Sequence, residues 1–159
     1  MRNVLLILLS VVLMSGKEPS VLEQAKQIAR VEQKLILLRF TGSDWCGPCK
    51  KMDKRVFQSD SFNSFGAEHL VLIEADFPKN KELDEDTRIE NKELARRYQK
   101  SQSYPYTVLL DAEGKLLKTW RGYGGQYPSY YLEEIIPFLP RQKNVIAADT
   151  LAADTVSAH

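Results

Sequence analysis

The sequence has few cysteines, few histidines and almost no net charge. Its 159 residues contain two cysteines and two histidines, and 22 Lys and Arg residues are balanced by 21 Asp and Glu residues. Two cysteines exclude the multi-bridge framework of a small secreted scaffold. With the histidines far apart in the sequence, at His69 and His159, no four-ligand metal site is expected. The net charge of +1 argues against nucleic-acid binding.

Length and composition indicate one globular domain. Hydrophobic residues make up 43% of the chain and charged residues 27%, which is ordinary for a folded protein. We assign the domain to residues 20–139, a length that supports one core, and expect a monomer. Residues 140–159 are rich in Ala, Asp and Thr, and we expect a frayed or disordered tail there.

The N-terminus has the pattern of a secretion signal. Arg2 precedes an apolar stretch at residues 4–14, and the small residues Ser15 and Gly16 follow it. This order is typical of a signal peptide, although an amphipathic or core helix is an alternative. The stretch is shorter than the roughly 20 apolar residues of a membrane-spanning helix. We therefore expect a cleaved leader at residues 1–16 and export to the periplasm or the medium.

The first half of the domain alternates between helix and strand patterns. Ser20, with Glu23 three residues later, predicts the start of a helix. Short apolar runs at residues 35–40 and 70–75 predict strands that are buried on both faces. A helix is predicted directly after the cysteines. A further short helix is expected to be capped by Asp60 or Ser61.

The second half predicts a helix that runs to about residue 100, a hairpin and a last helix. The hairpin strands cover residues 106–110 and 115–120, and Gly114 lies where a turn commonly needs a positive φ. The last helix covers residues 129–139 and is interrupted or ends near its proline. Alternation followed by a hairpin predicts an α/β fold, with a central mixed sheet flanked by helices on both faces.

The two cysteines stand together as Cys46-Gly47-Pro48-Cys49, at the start of a predicted helix. A thiol at a helix N-terminus is close to the positive end of the helix dipole, which favours the reactive thiolate. Cysteines three residues apart on the first turn are within bonding distance of each other. Cys49 can therefore displace a mixed disulfide that has formed at Cys46.

Three simpler explanations of the cysteine pair are weaker than redox chemistry. A structural disulfide would close a loop of only about four residues, for which the chain-entropy relation gives roughly 2 kcal/mol. Half of a metal site would lack its remaining ligands. Two buried thiols would need neither Trp45 before the pair nor Gly47 and Pro48 within it.

Two motifs resemble the thioredoxin family. Residues 45–50, WCGPCK, resemble the thioredoxin active-site motif, and residues 104–107, YPYT, resemble its later loop with a cis-proline. Residues 40–45, FTGSDW, are most similar to exported bacterial thioredoxin-like proteins. The resemblance covers residues 21–139 and implies a thioredoxin fold and a thiol–disulfide oxidoreductase.

The resemblance also implies a role for each residue of the motifs. Cys46 would be the exposed nucleophile and Cys49 the buried resolving thiol. Trp45 would shield the site and contact the substrate. Pro105, if cis, would face the cysteines and leave the adjacent backbone free to pair with an extended substrate. The same substrate groove would be lined by Tyr104, Gly47, Pro48, Gly122 and Tyr123.

The sequence departs from the family pattern beneath the cysteines. Thioredoxin carries an Asp in the strand before the motif and a Lys on the neighbouring strand. The matching positions here are Arg39, or less favourably Phe40, and Glu74. Our hypothesis is a charge-swapped pair in which Arg39 favours the thiolate and Glu74 accepts a proton. The alternative is that either side chain points outward on its strand and is only solvated at the edge. Lys50 and Asp44 flank the cysteines and are further candidates for tuning the thiol pKa.

The Gly-Pro dipeptide between the cysteines resembles reducing thioredoxins, so we expect a reductase of disulfide-containing client proteins. In an oxidising compartment the resemblance implies a membrane thiol electron donor. The expected cofactor is the Cys46–Cys49 couple itself, without flavin, nicotinamide or metal. The alternative is a binding module or chaperone that holds extended polypeptides, because residues 123–131 are rich in tyrosine.

Overall fold

Residues 18–140 are described by a computed structural model. The expected leader at residues 1–16 and the expected tail after residue 140 lie outside the described residues. The α-helices are α1 (Val21–Glu32), α2 (Gly47–Met52), α3 (Asp60–His69), α4 (Glu85–Tyr98) and α5 (Pro128–Ile135). The strands are β1 (Leu35–Thr41), β2 (Leu70–Asp76), β3 (Tyr106–Leu110) and β4 (Leu116–Arg121). A π-helical turn (Asp53–Phe57) follows α2, and a 3₁₀ turn (Ile136–Phe138) follows α5.

The four strands form one mixed sheet in the order β2-β1-β3-β4. β1 is parallel to β2 and antiparallel to β3, and β3 and β4 form the antiparallel hairpin. Gly114 in the hairpin turn has φ of 81°, and its N–H donates to the carbonyl of Asp111. The predicted mixed sheet and the predicted hairpin are confirmed.

Two hydrophobic clusters cover the two faces of the sheet. One contains Ile36, Leu38 and Phe40 of β1 with side chains of α1 and α4. The other contains Leu35 and Leu37 of β1 with side chains of α2, α3 and α5. Successive residues of a strand point to opposite faces, so β1 supplies both clusters and is apolar almost throughout. Each fully buried side chain of this kind contributes roughly 1.5–3 kcal/mol to folding.

The helix ends follow the prediction at the start of α1 and at the end of α5, and differ from it at the start of α3. The N–H of Glu23 donates to Ser20 Oγ, so Ser20 caps α1 as predicted. The predicted caps of α3 are wrong, because Ser59 accepts the N–H of Phe62 and Asp60 is already the first helical residue. The last α-helix ends at Ile135, before Pro137, and continues as the 3₁₀ turn.

The expectation that β2 is buried on both faces is wrong. Ile73 is 6% exposed and Ala75 is fully buried, whereas Leu72 is 54% exposed and Glu74 is exposed. β2 is an edge strand of the described sheet, and the helices of the second cluster leave its outer part uncovered. Residues of β2 that face this side therefore reach solvent.

The topology brings the cysteine motif and the proline loop to one end of the sheet. α2 begins after the C-terminal end of β1, and β3 begins directly after Pro105. Because β1 and β3 are antiparallel, Phe40 near the end of β1 pairs with Tyr106 at the start of β3. No helix within residues 18–140 is long and apolar enough to cross a membrane.

Candidate active site

Cys46 and Cys49 form a disulfide at the N-terminus of α2, with a Cα–Cα distance of 5.2 Å. Cys46 is the N-cap residue, and its Sγ accepts the N–H of Cys49 at 3.2 Å. The N–H of Cys46 donates to the carbonyl of Gly42 at 2.8 Å. Pro48 suits the first helical turn because its fixed φ is already helical and no N–H is lost.

The expected difference in exposure between the two cysteines is absent. Cys46 is 3% exposed and Cys49 is 5% exposed. Both cysteines are therefore buried in this oxidised form. The expectation of an exposed Cys46 is therefore wrong for this form, although Gly47 and Pro48 between the cysteines are exposed.

The proline loop lies beside the disulfide. The Tyr104–Pro105 peptide bond is cis, as the resemblance implied. Pro105 is buried and lines the same cavity as Cys49. The Pro105 carbonyl accepts the N–H of Gly122 at 2.8 Å, and Gly122 has φ of 69°. This hydrogen bond ties the proline loop to the end of β4.

Three aromatic side chains, Trp45, Phe77 and Tyr104, form what we name the aromatic rim. The ring centroids of Trp45 and Tyr104 are 5.3 Å apart, and those of Phe77 and Tyr104 are 5.9 Å apart. The indole Nε1 of Trp45 donates to the carbonyl of Phe77 at 2.8 Å. Burial raises the pKa of the Tyr104 phenol. Trp45 remains 37% exposed, so the rim has a face that a bound polypeptide can reach.

Asp44, which precedes Trp45 of the aromatic rim, is hydrogen-bonded to the loop after β2. The carboxylate of Asp44 accepts the backbone N–H groups of Lys79 and Asn80. These hydrogen bonds lower the pKa of Asp44, that from Lys79 having the largest effect. Lys79 Nζ lies 4.4 Å from the centroid of the Trp45 ring, a favourable cation–π geometry. Lys50 Nζ donates to the carbonyl of Asp44 at 2.7 Å.

Arg39, Asp53 and Glu74 form what we name the ionic cluster. Arg39 and Glu74 are directly paired in the parallel register of β1 and β2, and their side chains form an ion pair. A second ion pair joins Arg39 Nη1 to Asp53 Oδ1 at 3.1 Å. The guanidinium carbon of Arg39 lies 3.9 Å from the centroid of the Phe57 ring. The Arg39 side chain is only 17% exposed, which strengthens these interactions relative to surface pairs.

A cavity of about 130 Å³ connects the ionic cluster to the disulfide. Cys49 and Pro105 border it on one side and the three residues of the ionic cluster on the other. It is polar and large enough to hold water. Cys49 and the two carboxylates of the ionic cluster therefore share one cavity.

Sequence reasoning missed Asp53. The residue lies four positions after Cys49, and residues with this spacing share one face of a helix. Its backbone N–H donates to the carbonyl of Cys49, and its side chain turns back towards β1. The spacing of four residues between Cys49 and Asp53 could have indicated that Asp53 lies near the site. Its ion-pair partner Arg39 could not be identified in this way, because it lies on β1, which ends before the cysteine motif.

Comparisons with known proteins agree with this geometry. The Thioredoxin-like domain family matches residues 22–137. The disulfide bond reductase DsbH of Chlamydia pneumoniae is 44% identical over 96 residues, which cover 60% of this chain and 55% of that protein. The thioredoxin-related protein DsbJ of the same organism is 28% identical over 104 residues, which cover 65% of this chain and 30% of that protein.

The solved structures include one titled DsbH oxidoreductase, which is 34% identical and superposes with a TM-score of 0.68. The match covers 77% of this chain and 83% of that structure. The chain spans about half or less of the length of the two curated relatives. The family match over most of the domain, together with this structural match, shows that the chain belongs to the Thioredoxin-like domain family.

Proposed function

We propose that this protein is a thiol–disulfide oxidoreductase that reduces protein disulfides through the Cys46–Cys49 couple. The observation that carries the proposal is the disulfide at the N-terminus of α2, beside the cis Tyr104–Pro105 bond. The 44% identity to a protein named disulfide bond reductase supports the direction of the reaction. Thioredoxin-like oxidoreductases use such a redox-active disulfide as their reactive group.

The reaction begins with the reduced protein. The Cys46 thiolate attacks one sulfur of the client disulfide, which forms a mixed disulfide and releases the other client sulfur as a thiolate. The Cys49 thiolate then attacks Cys46 Sγ, which forms the Cys46–Cys49 disulfide and releases the second client thiolate. Two electrons pass to the client, whose thiolates take up two protons. A dithiol donor must afterwards reduce the Cys46–Cys49 disulfide.

The ionic cluster is proposed to assist the second step. Cys49 must lose its proton before it attacks, and the proposal is supported by the cavity that Cys49 lines together with Asp53 and Glu74. Glu74 is the acceptor expected from the sequence, and Asp53 is a second one. The positive charge of Arg39 lies close to both carboxylates and to the cavity, where it favours the thiolate form of Cys49.

The substrate groove is proposed to follow the exposed residues around the disulfide. Trp45 and Tyr104 offer aromatic surface to a client, and Gly122 and Pro105 form the opposite side through their hydrogen bond. Gly47 and Pro48 are exposed between the cysteines and leave room for a client chain. Lys50 is held near the site by the carbonyl of Asp44, and we retain it as a residue that tunes thiol reactivity.

The cellular setting is proposed from the sequence and from the relatives. One relative is named a disulfide bond reductase and the other a thioredoxin-related protein, which supports a protein with a redox partner. We propose that residues 1–16 direct export to the periplasm or the medium, and that a membrane thiol donor reduces the disulfide. We further propose that residues 20–139 act as a monomeric unit, with disulfide-containing proteins as clients.

Paired serine variants test the proposal. Cys46→Ser is expected to lose reduction of a disulfide-bonded peptide by about a thousandfold or more, because it removes the nucleophile. Cys49→Ser is expected to accumulate a covalent mixed disulfide, visible on a non-reducing gel. A chaperone that only holds extended polypeptides would keep its activity in both variants. That result would replace the proposed function by the alternative.

A double-mutant cycle tests the proton acceptors. Glu74→Gln and Asp53→Asn are each expected to slow release of the mixed disulfide. The double variant is expected to slow it by about tenfold or more, because neither carboxylate can then replace the other. Glu113→Gln, an exposed carboxylate paired with Arg30, is the control. Release at the wild-type rate in the double variant across the pH range would contradict this role.

A further inference from the structure

A groove beside the disulfide has no part in the reaction proposed above. It has a volume of about 670 Å³ and lies between the end of α2 with its π-helical turn and the loop after β4. Its lining residues, which we name the basic groove, are Lys51, Lys54, Arg55, Tyr123, Gly124 and Gly125. Three of the six carry a positive charge, and none carries a negative charge.

The positive charges of the groove are not neutralised by neighbouring residues. Lys51, Lys54 and Arg55 are exposed, and none of them belongs to an ion pair within residues 18–140. The nearest acidic residue in the same segment, Asp53, is bound to Arg39. With a net charge of only +1 for the whole chain, this excess is local. The three cations line one groove and are open to solvent.

The groove continues from the active site. Tyr123 of the groove directly follows Gly122, whose N–H is bonded to the carbonyl of Pro105 beside Cys49. A polypeptide that passes over the disulfide on the Gly122 side therefore reaches the basic groove next. At Gly125, where φ is 95°, a Cβ atom would meet nothing within 4 Å. The main chain of a bound polypeptide can approach closely there.

An exposed aromatic side chain borders the groove. Tyr127 is 65% exposed, and the guanidinium carbon of Arg55 lies 5.0 Å from the centroid of its ring. Tyrosine offers a large contact area at low entropic cost, and arginine forms two parallel hydrogen bonds with a carboxylate. Together these groups suit an extended polypeptide with acidic side chains.

We propose that the basic groove binds acidic residues that flank the reactive disulfide of a client protein. The inference rests on the proposed reductase function and names the class of client on which it acts. An exposed ion pair contributes about a factor of two in affinity. Three such pairs predict a preference of about fivefold to tenfold for acidic flanks at low ionic strength.

Two synthetic peptides test the proposal. They share one intramolecular disulfide and differ only in carrying three glutamates or three glutamines on each side of it. The measurement is the second-order rate constant for reduction of each peptide by the reduced protein. Wild type is expected to reduce the glutamate peptide about fivefold to tenfold faster at low salt. The ratio is expected to approach one in about 1 M salt, where the screening length is about 3 Å.

The Lys51→Gln/Lys54→Gln/Arg55→Gln variant is expected to lose the preference and keep its rate with the glutamine peptide. The matched control removes three exposed cations from α4, on the opposite face of the sheet. That control is Lys92→Gln/Arg96→Gln/Arg97→Gln, and it is expected to keep the preference. Urea unfolding checks that both triple variants are folded. A preference that is absent in wild type, retained in the groove variant or lost in the control would overturn the proposal.

A binding measurement separates this proposal from the reductase function. The probe is a fluorescent glutamate peptide in which serines replace the cysteines, and its anisotropy is followed with the oxidised protein. Weaker binding to the groove variant than to wild type and to the α4 control supports the groove even if neither disulfide peptide is reduced. Equal binding to all three proteins overturns it even if reduction is fast.

Discussion

The ionic cluster and the aromatic rim border the same disulfide but are held in different ways. Arg39, Asp53 and Glu74 come from a strand, a helical turn and a second strand, and ion pairs between side chains join them. The aromatic rim lies on loops, and hydrogen bonds to main-chain atoms fix it, such as that from Trp45 to the carbonyl of Phe77.

This difference suggests separate roles for the two regions, proton transfer for the ionic cluster and client binding for the aromatic rim. The ionic cluster lies on rigid elements, and its charges face the cavity below Cys49, where a proton has to move. The aromatic rim lies on segments that connect those elements, where binding surfaces are commonly found. We therefore expect changes in the ionic cluster to alter the stability of the sheet and the rate of the chemical step. Changes in the rim should alter mainly the contact with clients.

The largest effect on stability is expected from Arg39→Met. The variant leaves Asp53 and Glu74 as two carboxylates without their shared cation, in a site where Arg39 is only 17% exposed. The side chains of Asp53 and Glu74 are 40% and 45% exposed, so the variant loses two partly buried ion pairs but leaves no buried charge. This loss predicts a decrease of about 1–2 kcal/mol in the free energy of unfolding at pH 7. Urea unfolding of the oxidised protein measures it.

Arg30→Met is the matched control for this prediction. Arg30 pairs with Glu113 at 2.7 Å, but both side chains are well exposed. Exposed pairs contribute little, so the control is expected to unfold close to wild type. Equal destabilisation by the two variants would show that the ionic cluster behaves as an ordinary surface pair.

A smaller effect is expected from Gly42→Ala in the loop that supports the rim. A Cβ atom at this position would lie 2.3 Å from Cε2 of Trp45, so the ring has to move. Displacement breaks the hydrogen bond between Trp45 and Phe77 and predicts a cost of about 1 kcal/mol. A change in Trp45 fluorescence and a lower urea midpoint are the measurements. Gly47→Ala is the control for stability, because a Cβ there meets nothing within 4 Å.

The smallest effect is expected from the Asp44 carboxylate, and it depends on pH. Backbone N–H groups hold the pKa of Asp44 below its ordinary value of 3.8. A lowered pKa stabilises the fold above the ordinary value, and this contribution is lost as the pH falls through the pKa of the folded protein. Asp44→Ala should therefore lower the urea midpoint at pH 7, and the difference from wild type should shrink below about pH 4.

Asp84→Ala is the control that separates a general loss of stability from an effect on the aromatic rim. Asp84 caps α4 and also has a lowered pKa, because it accepts the N–H of Thr87. Both variants should lose stability at neutral pH with the same dependence on pH. Only Asp44→Ala should slow the reaction with a client, because its partner Lys79 packs on the ring of Trp45. Equal client rates in the two variants would argue against a role of this loop in binding.

The chemistry of the disulfide was the most predictable part of the site. The spacing of Cys46 and Cys49 at the start of a helix requires only local geometry, and local geometry is encoded in a few consecutive residues. The pairing of Arg39 with Glu74 was also accessible, because two parallel strands of equal length bring matching positions together. The proline loop required the family resemblance, since most X-Pro bonds are trans.

Other features depended on contacts between distant segments. Asp53 has the same helical face as Cys49, but its ion pair with Arg39 forms only when α2 packs against β1. The exposure of Leu72 and Glu74 follows from the position of β2 at the edge of the sheet, which its apolar sequence does not reveal. The cap of α3 at Ser59 competed with two equally suitable neighbours, Asp60 and Ser61.

The sequence by itself determined the elements, the cysteine pair and the chemical class of the site, because each depends on residues that are close together in the chain. The tertiary structure alone decided three further features. It placed a second carboxylate in the cavity that Cys49 lines, buried both cysteines of the disulfide and brought three cations together with the loop after β4 in the basic groove. All three arise where helices or loops pack on the sheet. A sequence pattern within one element does not determine how closely that element packs against a segment far away in the chain.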